Sequence, residues 1–168
     1  MLATERLILR KPTKEDFEKF FEINHDPETN IHNPAGPMSF EKAESTFTKM
    51  LEHWEKYHFG SWAITEKECP ENIIGFGGLS YKLYGEKEKL NLGYRFASQA
   101  WGKGYATEFT RKAIGFGLNE DNKEEIFAVV RPGNIASVKV LEKAGMIKIG
   151  TLNDVPGQPE SLVYRIQK

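Results

Sequence analysis

Leu90-Asn-Leu-Gly-Tyr-Arg-Phe-Ala-Ser-Gln-Ala-Trp-Gly-Lys-Gly-Tyr-Ala-Thr107 is the stretch on which the fold turns. Leu90 to Phe96 has the composition of a strand. The residues from about Tyr105 to Leu118 then predict a helix, and Gly102-Lys103-Gly104 stands at the junction. Glycines at that point let the backbone turn sharply and approach a ligand closely. The amides that open a helix have no helical acceptor and carry about half a positive charge between them. Such a junction is a ready pyrophosphate site, to which Lys103 adds a full charge. The P-loop pattern GxxxxGK[ST] is absent, because Gly104 follows Lys103. The dinucleotide pattern GxGxxG is met only in part, since Thr107 holds its third position. A turn that does no more than start a helix is the competing reading of these glycines.

Working outward, Arg6 to Arg10 reads as a short first strand, and Thr13 with Asp16 resembles a capping box before Phe17, Phe20, Phe21 and Asn24 at helical spacing. Ser39 is a candidate cap for a second helix bearing Ala43, Phe47, Met50, Leu51 and Trp54. Asn30 to Pro37 should be an irregular connection. Ser61–Thr65, Ile73–Tyr81 and Leu90–Phe96 predict an antiparallel meander, with loops over 66–72 and 84–89. After the 105–118 helix come a strand at Ile126–Val130, a helix from about Ile135 to Ala144, and closing strands at Met146–Leu152 and Leu162–Ile166. The layout is α+β, a mixed and mostly antiparallel sheet with helices on its faces.

The chain has 168 residues, which predicts a single domain spanning 1–168. Twenty-three Lys and Arg against 24 Asp and Glu give a net charge of −1, unlike a general nucleic-acid binder. No apolar run reaches the roughly 18 residues of a membrane span, and the N-terminus lacks a signal pattern. The lone cysteine, Cys69, precludes an intramolecular disulfide. A soluble, cytoplasmic protein is the expectation, with neither membrane nor nucleic acid as partner and with no metal.

Gln99-Ala-Trp-Gly102-Lys-Gly104 matches the [RQ]-x-x-G-x-[GA] signature of the GNAT superfamily of acyl-CoA N-acyltransferases. Thr4-Glu-Arg-Leu-Ile-Leu-Arg10 resembles the opening strand of its RimJ/RimL-type branch, the N-terminal acetyltransferases of ribosomal proteins and their relatives. Asn134-Ile-Ala-Ser137-Val-Lys-Val-Leu-Glu-Lys-Ala-Gly145 resembles the branch's second cofactor motif. The likeness runs from Thr4 to about Gly150 and implies a GNAT-like fold with acetyl-CoA as co-substrate. It implies a V-shaped opening between two parting strands, with the pantetheine arm along the strand that ends at Phe96 and Ala97. The pyrophosphate would sit on the amides of Gly102, Lys103, Gly104, Tyr105 and Ala106, with Gln99, Trp101 and Thr107 among the other cofactor-binding residues. Asn134 and Ser137 would complete the cofactor contacts, although Asn134 also reads as a helix N-cap.

The implied reaction is direct attack of an amine on the thioester, which needs positioning, oxyanion donors and an acid for the thiolate. Many superfamily members place a tyrosine where this chain has Leu141. The RimJ/RimL type can use a serine one turn earlier, and Ser137 matches it, as acid, as thiolate-orienting group or as an ordinary helix serine. The position of the family's strand carboxylate is Asn91, which can hold a water but cannot take a proton. Glu86 and Glu88 read as a charged turn, His58 as a helix-end charge and Glu108 as structural, so no base is assigned. Tyr57, His58, Phe59 and Trp62 read as packing before pocket lining.

A missing base favours an amine already partly deprotonated at neutral pH, such as a protein or peptide N-terminus. Acetylation of a small amine (a polyamine, an amino-acid-like compound or an antibiotic) is the alternative, and a silent acyl-CoA-binding domain the third reading. Either a monomer or a homodimer is compatible with the sequence.

Overall fold

In the computed structural model, which describes residues 1–168, the strands β1 (Leu2–Ala3), β2 (Leu7–Arg10), β3 (Ser61–Glu66), β4 (Cys69–Tyr84), β5 (Lys87–Phe96), β6 (Glu125–Val130), β7 (Ile147–Leu152) and β8 (Ser161–Gln167) form one sheet. Their order is β1-β2-β3-β4-β5-β6-β8-β7. Helices α1 (Phe17–His25), α2 (Phe40–Tyr57), α3 (Tyr105–Gly115) and α4 (Ile135–Lys143) complete the chain. The expected α+β class and mostly antiparallel sheet are found; β5 and β6 are the parallel pair, registered at Asn91 and Phe127. No helix is long and apolar enough to cross a membrane.

Two compact units are distinguished: Met1–Gly78 with Tyr94–Tyr105, and Leu79–Gly93 with Ala106–Lys168. In the first, α1 and α2 present apolar stripes that bury Phe20, Ile23, Ala43 and Phe47 with Ala63, Ile73 and Phe76 of the sheet. Their rings meet edge-on or tilted, Phe20 lying 5.3 Å from Phe76 and 5.1 Å from Phe47, arrangements that suit the ring quadrupoles. In the second unit β8 pairs with β6 and β7, and Tyr84, Phe127 and Val163 pack together.

Local signals translated closely. Ser39 Oγ accepts from the Lys42 amide at 3.1 Å and starts α2. The Thr13–Asp16 capping box forms, but on a short 3₁₀ turn that leads into α1. Other expectations need correction. The first strand is β1, a two-residue bridge that pairs Leu2 with Leu9. The predicted 66–72 loop is mostly strand, because β4 starts at Cys69 after a tight turn. Its register against β3 shifts around Thr65, which absorbs the extra polar residues. The α-helical part of the predicted 105–118 helix stops at Gly115, and a π-type turn continues over Phe116–Glu120.

Asp16 anchors this start of the chain. Its carboxylate accepts two hydrogen bonds from Arg10, at 2.8 and 2.9 Å, and one from the Thr13 amide at 2.8 Å. Burial alone would push its pKa up, but the Arg10 and Thr13 hydrogen bonds outweigh that and hold it below the ordinary 3.8. A lowered folded-state value means stability that is present above the unfolded value and is lost as pH falls through the folded one. Asp16→Asn should therefore cost about 1–2 kcal/mol at pH 7. In thermal unfolding from pH 7 to pH 2.5, the gap to the parent should hold down to about pH 5 and close below 3.8. A gap independent of pH would show that the carboxylate charge does not contribute.

Candidate active site

The glycine junction is built from the end of β5 outward. Ala97 donates its amide to Ile74 O at 2.8 Å, which fastens the strand end to β4. A single 3₁₀ turn over Ser98–Ala100 reverses the chain, and Trp101 Nε1 donates back to Phe96 O at 3.1 Å. Gly102 and Gly104 then take φ of +77° and +81°, the left-handed region where a side chain is strained. A Cβ on Gly102 would touch nothing within 4 Å, so conformation rather than crowding calls for glycine there. From Trp101 to Gly104 the loop is exposed, and Tyr105 drops into the interior as the first residue of α3. The opening amides of α3 thus follow directly on an exposed loop and have no acceptor within the helix.

Two long-range contacts brace this loop, and neither was foreseen. Arg6 Nη1 donates to Lys103 O at 2.8 Å, while its guanidinium lies 4.5 Å over the Tyr105 ring. The Tyr105 hydroxyl donates to Glu66 Oε2 at 2.8 Å. Arg6 therefore adds a second positive charge beside Lys103 and holds the loop to the N-terminal strand. Its guanidinium Nη2 comes within 3.5 Å of where a Gly104 Cβ would stand. A residue 97 positions away leaves no local sequence signal.

The other predicted residues lie in the second unit. Ala106 and Thr107 sit half-buried in the first turn of α3. Asn134 caps α4, its Oδ1 accepting from the Ser137 amide at 3.2 Å. The carbonyl oxygen does the capping, so the side-chain NH₂ is left to bond elsewhere. The two readings of Asn134 are thus compatible. Ser137 is half-buried one turn into α4, and Leu141, one turn further, is buried at 3% exposure with no proton to give. Asn91 accepts from the Tyr84 hydroxyl at 2.5 Å. Burial, with Asp154 adding to it, pushes the Tyr84 pKa up, so Tyr84 is a donor and not a base at neutral pH.

The remaining candidates fall into structural places. Glu86 and Glu88 are exposed at the β4–β5 turn, and His58 is the exposed left-handed C-cap of α2. Phe59 and Trp62 are buried at 3% and 2%, and the Phe59 carbonyl meets His53 Nδ1 at 2.9 Å, which is packing. Cys69 opens β4 and does not lie in a loop. Its thiol donates to Glu71, and that hydrogen bond holds its pKa up, the opposite of an activated nucleophile.

The family described as the acetyltransferase (GNAT) domain matches residues 6–147. The chain belongs to that family. The GNAT assignment is supported by YoaA of Bacillus subtilis, named an uncharacterized N-acetyltransferase, which is 30% identical over all of this chain and 97% of its own length. The crystal structure of an acetyltransferase from Agrobacterium tumefaciens superposes with a TM-score of 0.83 at 25% identity, covering 99% of this chain and 94% of that one. A Vibrio cholerae spermidine N-acetyltransferase, solved with CoA and spermine, shares the GNAT fold at a TM-score of 0.76, with 18% identity and 96% and 95% coverage. As a GNAT enzyme, the chain is an acetyl-CoA-dependent N-acetyltransferase.

Proposed function

We propose that this enzyme acetylates the α-amine of a peptide or protein N-terminus, in the manner of the RimJ/RimL-type branch. The observation that carries the reading is the family's strand-carboxylate position: it holds Asn91, a neutral amide bonded to a tyrosine that stays protonated. At pH 7.5 an α-amine with a pKa near 7.7–8.0 has roughly 200–300 times the free-base fraction of a lysine amine near 10.4. An enzyme without a strong base gains most from the former.

On this reading the amides of residues 102–106, with Lys103 and Arg6 beside them, bind the pyrophosphate of acetyl-CoA. Phe96 and Ala97 border the pantetheine arm, with Gln99, Trp101 and Thr107 around the phosphate end, and the Asn134 side-chain NH₂ donates to a pantetheine carbonyl. The free amine attacks the thioester carbon, the C–S bond breaks, and the amine's surplus proton leaves to water held at Asn91. Ser137 gives a hydrogen bond to the departing thiolate, or passes it a proton that the serine takes back from water. A thiol near pKa 8.5 asks little acid assistance, so Ser137→Ala lowers kcat modestly. All these groups serve one catalytic domain over 1–168.

A pair of peptides decides it: one with a free α-amine and acetylated lysine, the other with a blocked N-terminus and a free lysine. At pH 7.5 the first should show at least a tenfold higher kcat/KM, and its rate should rise with pH and level off near 8. Efficient lysine acetylation, or turnover confined to small amines, overturns the reading.

A further inference from the structure

Arg95, on β5 just before Phe96, is a guanidinium with too few partners. Its side chain is mostly buried and bonds to a single group, the Asn30 side-chain oxygen, and no carboxylate lies within ion-pair distance. Burial alone pushes its pKa down, with no neighbouring charge to offset it. Guanidinium has five N–H donors in a planar fork, and one of them is used here. A cation withdrawn from water without a counter-ion costs stability.

Asn30 does not need that charge. It is 4% exposed and rigidly held: its Nδ2 donates to Asn24 O and Asp26 O, each at 2.8 Å, and its oxygen also accepts from Asn33 Nδ2 at 3.0 Å. Asn24 in turn donates to Phe20 O at 2.9 Å, which ties the group to α1. The fixed oxygen aims the Arg95 fork, and any neutral amide on β5 could satisfy the same oxygen. Orientation by a neutral dipole, with the charge left over, is the arrangement of a receptor for an anion. Planar bidentate donors match a carboxylate as they do a phosphate, and the phosphates of the cofactor are assigned to the glycine loop.

We infer that Arg95, aimed by Asn30, binds a carboxylate of the acceptor, so that the enzyme prefers amines with a carboxylate close by: free amino acids or N-termini with an acidic residue among the first positions. This rests on the amine-acetylation reading above. Its partner Asn30, and the Asn24 and Asn33 that hold Asn30 in place, belong to α1 and the connection that follows it, not to the glycine loop assigned to the phosphates. The acceptor rather than acetyl-CoA is therefore the source of the anion. Polyamines, which bring only positive charge, are disfavoured.

The test compares the parent, Arg95→Gln and Arg95→Lys on matched acceptors: alanine against alaninamide, and peptides with Asp against Asn at the second residue. The parent should favour each carboxylate member, and Arg95→Gln should lower kcat/KM for those members by about 10- to 100-fold. The amide members and the KM for acetyl-CoA should change less than about threefold, and Arg95→Lys should restore part of the loss. Calorimetric binding of the N-acetylated Asp and Asn peptides to CoA-saturated protein gives a readout independent of turnover. If no α-amine is acetylated but the Asp peptide still binds through Arg95, the acceptor reading fails and the carboxylate site stands. Equal losses for both members, a loss confined to acetyl-CoA, or no carboxylate preference in the parent in either assay overturns the inference.

Discussion

Gly104→Val is expected to lower kcat/KM for acetyl-CoA by roughly 100-fold and to leave the thermal midpoint almost unmoved. At φ of +81° a β-branched residue is a genuine outlier, strained by about 1–3 kcal/mol. The loop is exposed, so the chain can relieve that strain by swinging the residue to negative φ rather than by unfolding. The swing redirects the amides at the start of α3. Loss of two charge-assisted hydrogen bonds at about 1.5 kcal/mol each corresponds to about two orders of magnitude in affinity. Calorimetric titration with acetyl-CoA, beside a steady-state KM, checks it. Unchanged affinity would mean that the amides do not hold the pyrophosphate, and the glycine junction would revert to a plain turn.

Gly78→Ala should be the most damaging single-methyl change to the fold. A Cβ there would stand 2.1 Å from Gly60 O and 2.7 Å from Ser61 Cα, both backbone atoms that no rotamer change can move. Gly78 pairs with Ser61 across β3 and β4, so relief requires those strands to part. Overpacking commonly costs 1–3 kcal/mol, and a backbone clash belongs at or above the top of that range. A loss of about 3 kcal/mol lowers the midpoint of a protein this size by about 6–12 °C. Gly150→Ala, where a Cβ meets nothing within 4 Å, is the matched control and should shift it by no more than about 2 °C. Equal midpoints for the two variants would contradict the strand spacing seen here.

What could be read from the sequence was local, and what could not was long-range. The Thr13 box, the Ser39 cap and the Asn134 cap each rest on residues within a few positions, where spacing determines geometry. The Gly102-Lys103-Gly104 junction was equally legible, because its meaning depends on a strand before it and a helix after it. Arg6 and Arg95 were missed for the same physical reason in reverse. One contacts a carbonyl 97 residues away and the other an amide 65 residues away, and no periodicity records either. The start of β4 escaped because Glu71 and Asn72 have loop composition yet sit exposed at the hairpin end of a strand. β1 has two residues, too short for a period of two to show.

Trp101 gives the chain a native optical handle. Of the 3 tryptophans, Trp62 is 2% exposed and Trp54 is fastened to Ser61 O at 2.7 Å, whereas Trp101 is 48% exposed within the glycine loop. A neutral quencher such as acrylamide reaches that indole most readily, the half-buried Trp54 less and Trp62 least, so the most readily quenched part of the emission reports chiefly on the loop. Occupancy of the loop is therefore measurable in the unlabelled wild-type protein by light, with no acceptor present and no turnover.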